Sequence, residues 1–249
     1  MMSARIPRPG RRAALVILAG MAAFGLWGLS APMTTRQGVN FQISTYHIPG
    51  YVKAIDFLHR HYQYEDLARR VAGHQPTEEA RAMALYAWTT EHIRPTPKGW
   101  PIVDDHILNI MIRGYGVPDQ MADVFTTLAT YAGLPAFMQT LNTKREGLEL
   151  AFVRIDGEWR VFDVANHYVF RDEAGRLLSI AALRRDPWLA ARTTGPRMVA
   201  GVPYPEYFTL LDTVKIPRTL RAQLQMPWPR LSYEARIALG LERRCESQQ

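Results

Sequence analysis

Gly114-Tyr115-Gly116-Val117-Pro118-Asp119-Gln120-Met121-Ala122-Asp123-Val124-Phe125 reads as a tight turn running into a helix. Two glycines in three residues favour the turn. Pro118 suits a helix start, where its missing N–H costs nothing. The spacing predicts a helix over about 119–131, with Gly133 at its exit and Pro135 preventing continuation. Ala122, Phe125, Leu128, Ala129 and Ala132 fill much of its circumference, as in a helix buried on most sides.

Upstream, a helix begins near Tyr51, with Ile55, Leu58 and Tyr62 at helical spacing and Gly73 as its stop. His59 and His61 lie two apart, do not face one another, and read as surface residues. Thr77 is a good N-cap for a second helix, with Glu78 and Glu79 in the turn where the helix dipole favours acids. Leu85, Trp88 and His92 share one of its faces, and Pro95 and Pro97 end it. A loop over 95–105 and a short apolar segment, 107–112, lead into the glycine turn. The adjacent Asp104, Asp105 and His106 read as a turn whose carboxylates bond to backbone amides, since three consecutive residues rarely converge on one metal ion.

Downstream the period changes to that of strands: 136–141, then 148–155 and 159–163 flanking Asp156-Gly157, a strong hairpin signal. A strand at 168–171 precedes a turn at 172–175, and a short helix opens at Ile180 and ends near Pro187. Residues 192–207 read as a loop, 208–224 as partly helical, Met226-Pro227-Trp228-Pro229 as a rigid break, and 232–243 as a final amphipathic helix with Ile237 and Leu241 on one face. The fold class expected is α+β, helices packed on a small antiparallel sheet.

The order and spacing of Asp105-His106, the Gly-x-Gly turn, Asp119-Gln120, Tyr131-Ala132-Gly133-Leu134-Pro135-Ala136, Ile155-Asp156-Gly157-Glu158-Trp159 and Phe162-Asp163 resemble the transglutaminase-like, papain-related cysteine enzymes. The resemblance runs from Trp88 to about Leu183. It implies a helices-on-sheet fold and a triad: a Cys opening the central helix, a His starting the strand before the hairpin, and an Asp closing the next strand. Such a thiolate is stabilised by the helix dipole and an imidazolium, and the Asp orients the His. Carried over by position, the Cys falls on Pro118, the His on Leu148 and the Asp on Asp163. Both reactive members are absent. The resemblance therefore implies a degenerate domain with no catalytic residue, kept for its shape.

Other groups around that cleft are Trp100 and Tyr115 as a stacking wall, Asp119, Gln120 and Glu149 beside the lost positions, and Asn166 and His167 near Asp163. They are candidates for binding a peptide or glycan. The plainer reading makes Asp119 a helix cap, Glu149 an exposed strand residue, and the aromatics core packing. Two rivals remain: an active hydrolase or acyltransferase built on Asp119, Glu149, Asp163 or His167, and a purely structural protein whose cleft is plugged by Pro118 and Leu148.

The net charge of +7 includes Arg5, Arg8, Arg11 and Arg12 in an acid-free N-terminal tail. The remaining +3, with no basic run interleaved with aromatics, argues against nucleic acid. The arginines precede a charge-free apolar run, 13–29, long enough for a short membrane span. Leu29-Ser30-Ala31 followed by Pro32 is a poor signal-peptidase site, which favours an uncleaved anchor. Charge before the span places the N-terminus in the cytoplasm and the body outside, in a bacterial periplasm. The expected organisation is a basic tail (1–12), a signal-anchor (13–30), a polar linker (31–50), a transglutaminase-like domain (51–190) and a C-terminal extension (191–249). Cys245 is the only cysteine, sits in a polar tail and can make no internal disulfide. No metal and no cofactor is expected. The expected partners are the membrane and a protein of a membrane complex.

Overall fold

A computed structural model describes residues 15–16, 19–20, 25, 27–195 and 197–242. The expected basic tail, half of the expected signal-anchor and Cys245 lie outside these residues. Among the described residues, no helix is long and apolar enough to cross a membrane.

Residues expected to be a linker form an antiparallel hairpin instead: β1 (Pro32–Val39) and β2 (Gln42–Pro49) pair along their whole length, from Pro32↔Pro49 to Val39↔Gln42. Asn40 and Phe41 make its turn with positive φ. The alternation Thr-Thr-Arg-Gln against Ile-Ser-Thr-Tyr has no continuous apolar run, which is why it reads as linker.

Helix α1 (Gly50–Ala72) follows directly. The stripe used to find it points outward: Ile55, Leu58 and Tyr62 are 64%, 42% and 61% exposed. The inward face is Tyr64, Ala68 and Ala72, four apart along the helix. His61 is half-buried against α4, its Nδ1 3.0 Å from the Tyr131 hydroxyl, and so is not a surface residue. Helix α2 (Glu78–His92) is capped as expected, Thr77 Oγ1 accepting from Ala80 N at 3.1 Å. Strand β3 (Arg94–Pro95) and strand β4 (Val103–Asp104) bracket the next loop. The apolar segment that follows is itself a helix, α3 (Ile107–Arg113), ended by Gly114 in the left-handed region.

Strand β5 (Tyr115–Gly116) pairs parallel to β3, and helix α4 (Pro118–Tyr131) begins with Pro118 at its first position. Every residue of α4 from Gln120 to Thr130 is buried. The main sheet follows: β6 (Ala136–Asn142), β7 (Gly147–Ile155), β8 (Glu158–Asp163) and β9 (Tyr168–Val169), adjacent in that order and antiparallel throughout. Asp156 and Gly157 both have positive φ, the two-residue turn their sequence calls for.

Both faces of this sheet are covered. Ala151, Val153, Ile155 and Phe162 pack with α1, α2 and α4, while Leu148, Leu150, Phe152 and Val161 pack with the C-terminal part of the chain. That part is more ordered than expected. Helices α5 (Ile180–Arg185) and α6 (Leu189–Thr194) precede the small hairpin β10 (Met198–Val199) and β11 (Val202–Pro203) and helix α7 (Tyr204–Phe208), so 192–207 is not a loop. Two 3₁₀ turns, Leu211–Thr213 and Arg221–Gln225, supply the partial helicity of 208–224. The Pro-Trp-Pro stretch is no break: it opens α8 (Pro227–Ala238), because proline is accommodated in a first helical turn. Leu241 lies beyond the end of α8, not on its face with Ile237.

Candidate functional site

The turn at the head of α4 is held by one guanidinium. Arg113 donates to Tyr115 O (2.9 Å) and Val103 O (2.9 Å), bonds Gln120 Oε1 (2.8 Å), and pairs with Asp105 at 2.9 Å. Gln120 completes the ring, donating to Val103 O at 2.8 Å and accepting from Val117 N at 3.3 Å. The sequence offered Gln120 as a ligand contact; the structure gives its amide to this framework. The backbone at Gly116 runs close to this ring: a Cβ there would stand 3.1 Å from the Gln120 Cβ, so Gln120 would have to shift by a few tenths of an ångström. Asp105 is engaged with Arg113, and burial lowers the His106 pKa.

Beside this turn is a cavity of about 350 Å³. Pro118 and Met121 bring α4 to it, Leu148 and Glu149 bring the start of β7, and Asn166 and Val199 come from the loop after β8 and from β10. Pro118 and Leu148, far apart in sequence, thus line one cavity, and the plug expected of a purely structural protein is not formed. Trp100 and Tyr115 are not among its lining residues. They pack edge-on against each other, with ring centroids 5.2 Å apart. Asp119 and His167 also lie outside the lining; the Asp119 carboxylate accepts from Gln120 N at 2.9 Å, one residue along, so it is not the cap of α4, which starts after Val117.

The pleat of β7 separates Leu148 from Glu149. Leu148 packs with the C-terminal cluster. Glu149 alternates with it and shares the side of Ala151 and Val153, toward α4. Glu149 is half-buried, not an exposed strand residue, and Thr140 Oγ1, its cross-strand partner, donates to it at 2.5 Å. Burial pushes its pKa up to about 7; the Thr140 hydrogen bond opposes this, and the charges of Asp119, Asp123 and Asp163 add to it. Sequence counting singles out Leu148, because it registers position and not the face on which a strand residue emerges.

Asp163 is fully buried. Its carboxylate accepts from Asn166 N (2.9 Å), Asn166 Nδ2 (2.9 Å) and the Tyr204 hydroxyl (2.8 Å). Burial raises its pKa and these hydrogen bonds oppose the rise. Tyr204 reaches it from the C-terminal extension, a partner that nothing in the sequence announces. It stacks on Tyr168 and meets Phe170 edge-on, which explains its position only once the fold is known. Among the described residues, no two of Asp119, Glu149, Asp163 and His167 share a hydrogen bond, so the paired-carboxylate acid–base arrangement is not formed.

A second buried carboxylate, Asp123, lies one turn into α4 and meets Arg221 at 3.1 Å. Burial raises its pKa to about 6, and Arg221 pulls it back down.

The site can therefore bind through one carboxylate, an amide at Asn166, the Thr96 side chain and apolar walls. Among the described residues, its lining holds no thiol and no imidazole. No protein-family model and no curated protein matches the chain. Among solved structures it is similar to a candidate cysteine protease from Cytophaga hutchinsonii, with 15% identity over 48% of this chain and 41% of that one and a TM-score of 0.38. It is also similar to a candidate protease from Parabacteroides distasonis (13%, 41% and 23%, TM-score 0.35) and to a TGase (15%, 64% and 48%, TM-score 0.34). The chain spans less than half the length of each of these three structures.

Proposed function

We propose that this chain is a membrane-anchored, extracytoplasmic pseudoenzyme: a transglutaminase-like domain that binds a protein or peptide in its former catalytic cleft without cleaving it. It would serve as a binding or scaffold subunit of a membrane or cell-envelope complex, held by the apolar run 13–29 at a bacterial inner membrane with the body in the periplasm. The observation that carries this reading is the cavity at the head of α4, lined by Pro118 where the resemblance requires a cysteine. Proline has no nucleophile, and the carboxylates nearby lack the paired geometry that would activate water. The Asp163 carboxylate, which would orient an imidazole, is occupied by Asn166 and Tyr204.

A photo-crosslinking amino acid placed at Thr96, on the cavity wall, tests this in cells carrying the full-length chain. A covalent adduct with an intact partner is expected from Thr96 and not from Glu173, an exposed residue of the turn after β9 that does not line the cavity. No adduct from Thr96, or a partner recovered cleaved, would count against the reading.

A further inference from the structure

We infer that the outward face of α1 is a lipid-binding surface, on which Tyr51, Ile55, Leu58 and Tyr62 rest in the interfacial layer of the bilayer that holds the run 13–29. This goes beyond binding in the cleft and rests on the membrane-anchored part of the reading above. The four side chains follow one another at helical spacing and are 47%, 64%, 42% and 61% exposed. They lie on the side of α1 opposite the buried Arg60 and Tyr64. The face stays apolar for about 16 Å. It then turns charged at Glu65, Asp66 and Arg69, where Arg69 pairs with Asp66 at 3.2 Å. A tyrosine stands at each end with aliphatic side chains between, so amphipathic rings at headgroup depth bracket an apolar middle.

This face begins where the apolar run ends. Gly50 N donates to Ala31 O at 3.0 Å, and a Cβ on Gly50 would stand 3.0 Å from Leu29 O. Lys53, across the helix from Ile55 and Tyr62, donates from Nζ to Thr34 O at 2.5 Å, which draws the foot of the β1–β2 hairpin to the other side and leaves the stripe uncovered. The available area selects lipid over protein. Four side chains exposed by about half offer roughly 400 Å², about half of what one partner contributes to a stable protein–protein interface. A second copy or a soluble partner is held weakly by so small a face. A bilayer needs no such area, because the anchor already keeps the body beside it at high effective concentration.

The test uses the full-length chain with Cys245→Ser, one chain per nanodisc of phosphatidylethanolamine and phosphatidylglycerol, and one bimane label, at Leu58→Cys or at Arg69→Cys. Quenching by doxyl-labelled lipid is expected to be several-fold stronger at Leu58 than at Arg69, and quenching by aqueous iodide several-fold weaker. The same contrast is expected between Ile55→Cys and Glu65→Cys, which guards against one variant that fails to fold. Iodide reaching Leu58 and Ile55 as freely as Arg69 and Glu65 would overturn the inference. Shielding that appears only with two chains per disc would identify a second copy as the occupant and overturn it too. A chain released from membranes by alkaline carbonate loses the anchor, and the lipid face with it. A chain that resists carbonate while Leu58 stays open to iodide keeps the anchor and loses only the lipid face.

Discussion

Asp163 is the residue on which the C-terminal extension turns. It is buried with Asn166 and Tyr204 as donors, so removing one leaves an acceptor short of a partner in a dry environment. Tyr204→Phe should cost about 1–3 kcal/mol in a denaturant titration, and an unchanged midpoint would show that the bond contributes nothing. The raised carboxyls make a second test. Asp123 and Glu149 hold their protons more tightly folded than unfolded, so acid favours the fold. Their contribution to stability is greatest below the unfolded pKa of about 4. It falls as pH rises, through about 6 for Asp123 and about 7 for Glu149. Asp123→Asn should therefore flatten the decline in stability measured between pH 4.5 and pH 7, and a decline as steep as in wild type would contradict the assignment. At this scale the sequence was legible for identities and blind to faces: it paired Pro118 with Leu148, which line one cavity, but Glu149's turn toward α4 and the Tyr204 bond depend on pleat and packing.

Elements were legible wherever local chemistry decided them. Thr77 capped α2, Pro118 opened α4, and Asp156-Gly157 made the hairpin with positive φ at both residues. Gly157→Ala should cost roughly 1 kcal/mol or more, all of it conformational, since nothing lies within 4 Å of the added Cβ. The misread elements had a common cause. In α1 two apolar stripes compete, and the larger side chains form the exposed one, while the buried one rests on alanines and Tyr64. Leu58→Gln should therefore change stability by no more than about 0.5 kcal/mol, whereas Tyr64→Ala should cost roughly 3–5 kcal/mol. The reverse order in thermal melts would restore the Ile55–Leu58–Tyr62 stripe as the packing face. The hairpin over 32–49 and the opening of α8 were missed because neither has an apolar period; pairing and proline's tolerance in a first turn make them.

At the scale of the whole molecule, the four-stranded sheet is buried on both sides, by the helices on one and by the C-terminal part of the chain on the other. The fold class follows from the sequence because a buried helix followed by alternating strands has few ways to pack. The second cover does not, since the segments after residue 190 are short and stabilised by contacts with the sheet. The cavity lies where these layers meet the head of α4, and Glu149 is the carboxylate among its described lining residues. The most direct test of this account is exposure of the full-length Cys245→Ser variant, which has no thiol, to an electrophilic peptide ketone and to a fluorogenic peptide amide, read by intact mass and by turnover. The account predicts no covalent adduct on any cavity residue and no amide cleavage above background. An adduct on a residue lining the cavity, or turnover abolished by Glu149→Gln, would contradict it.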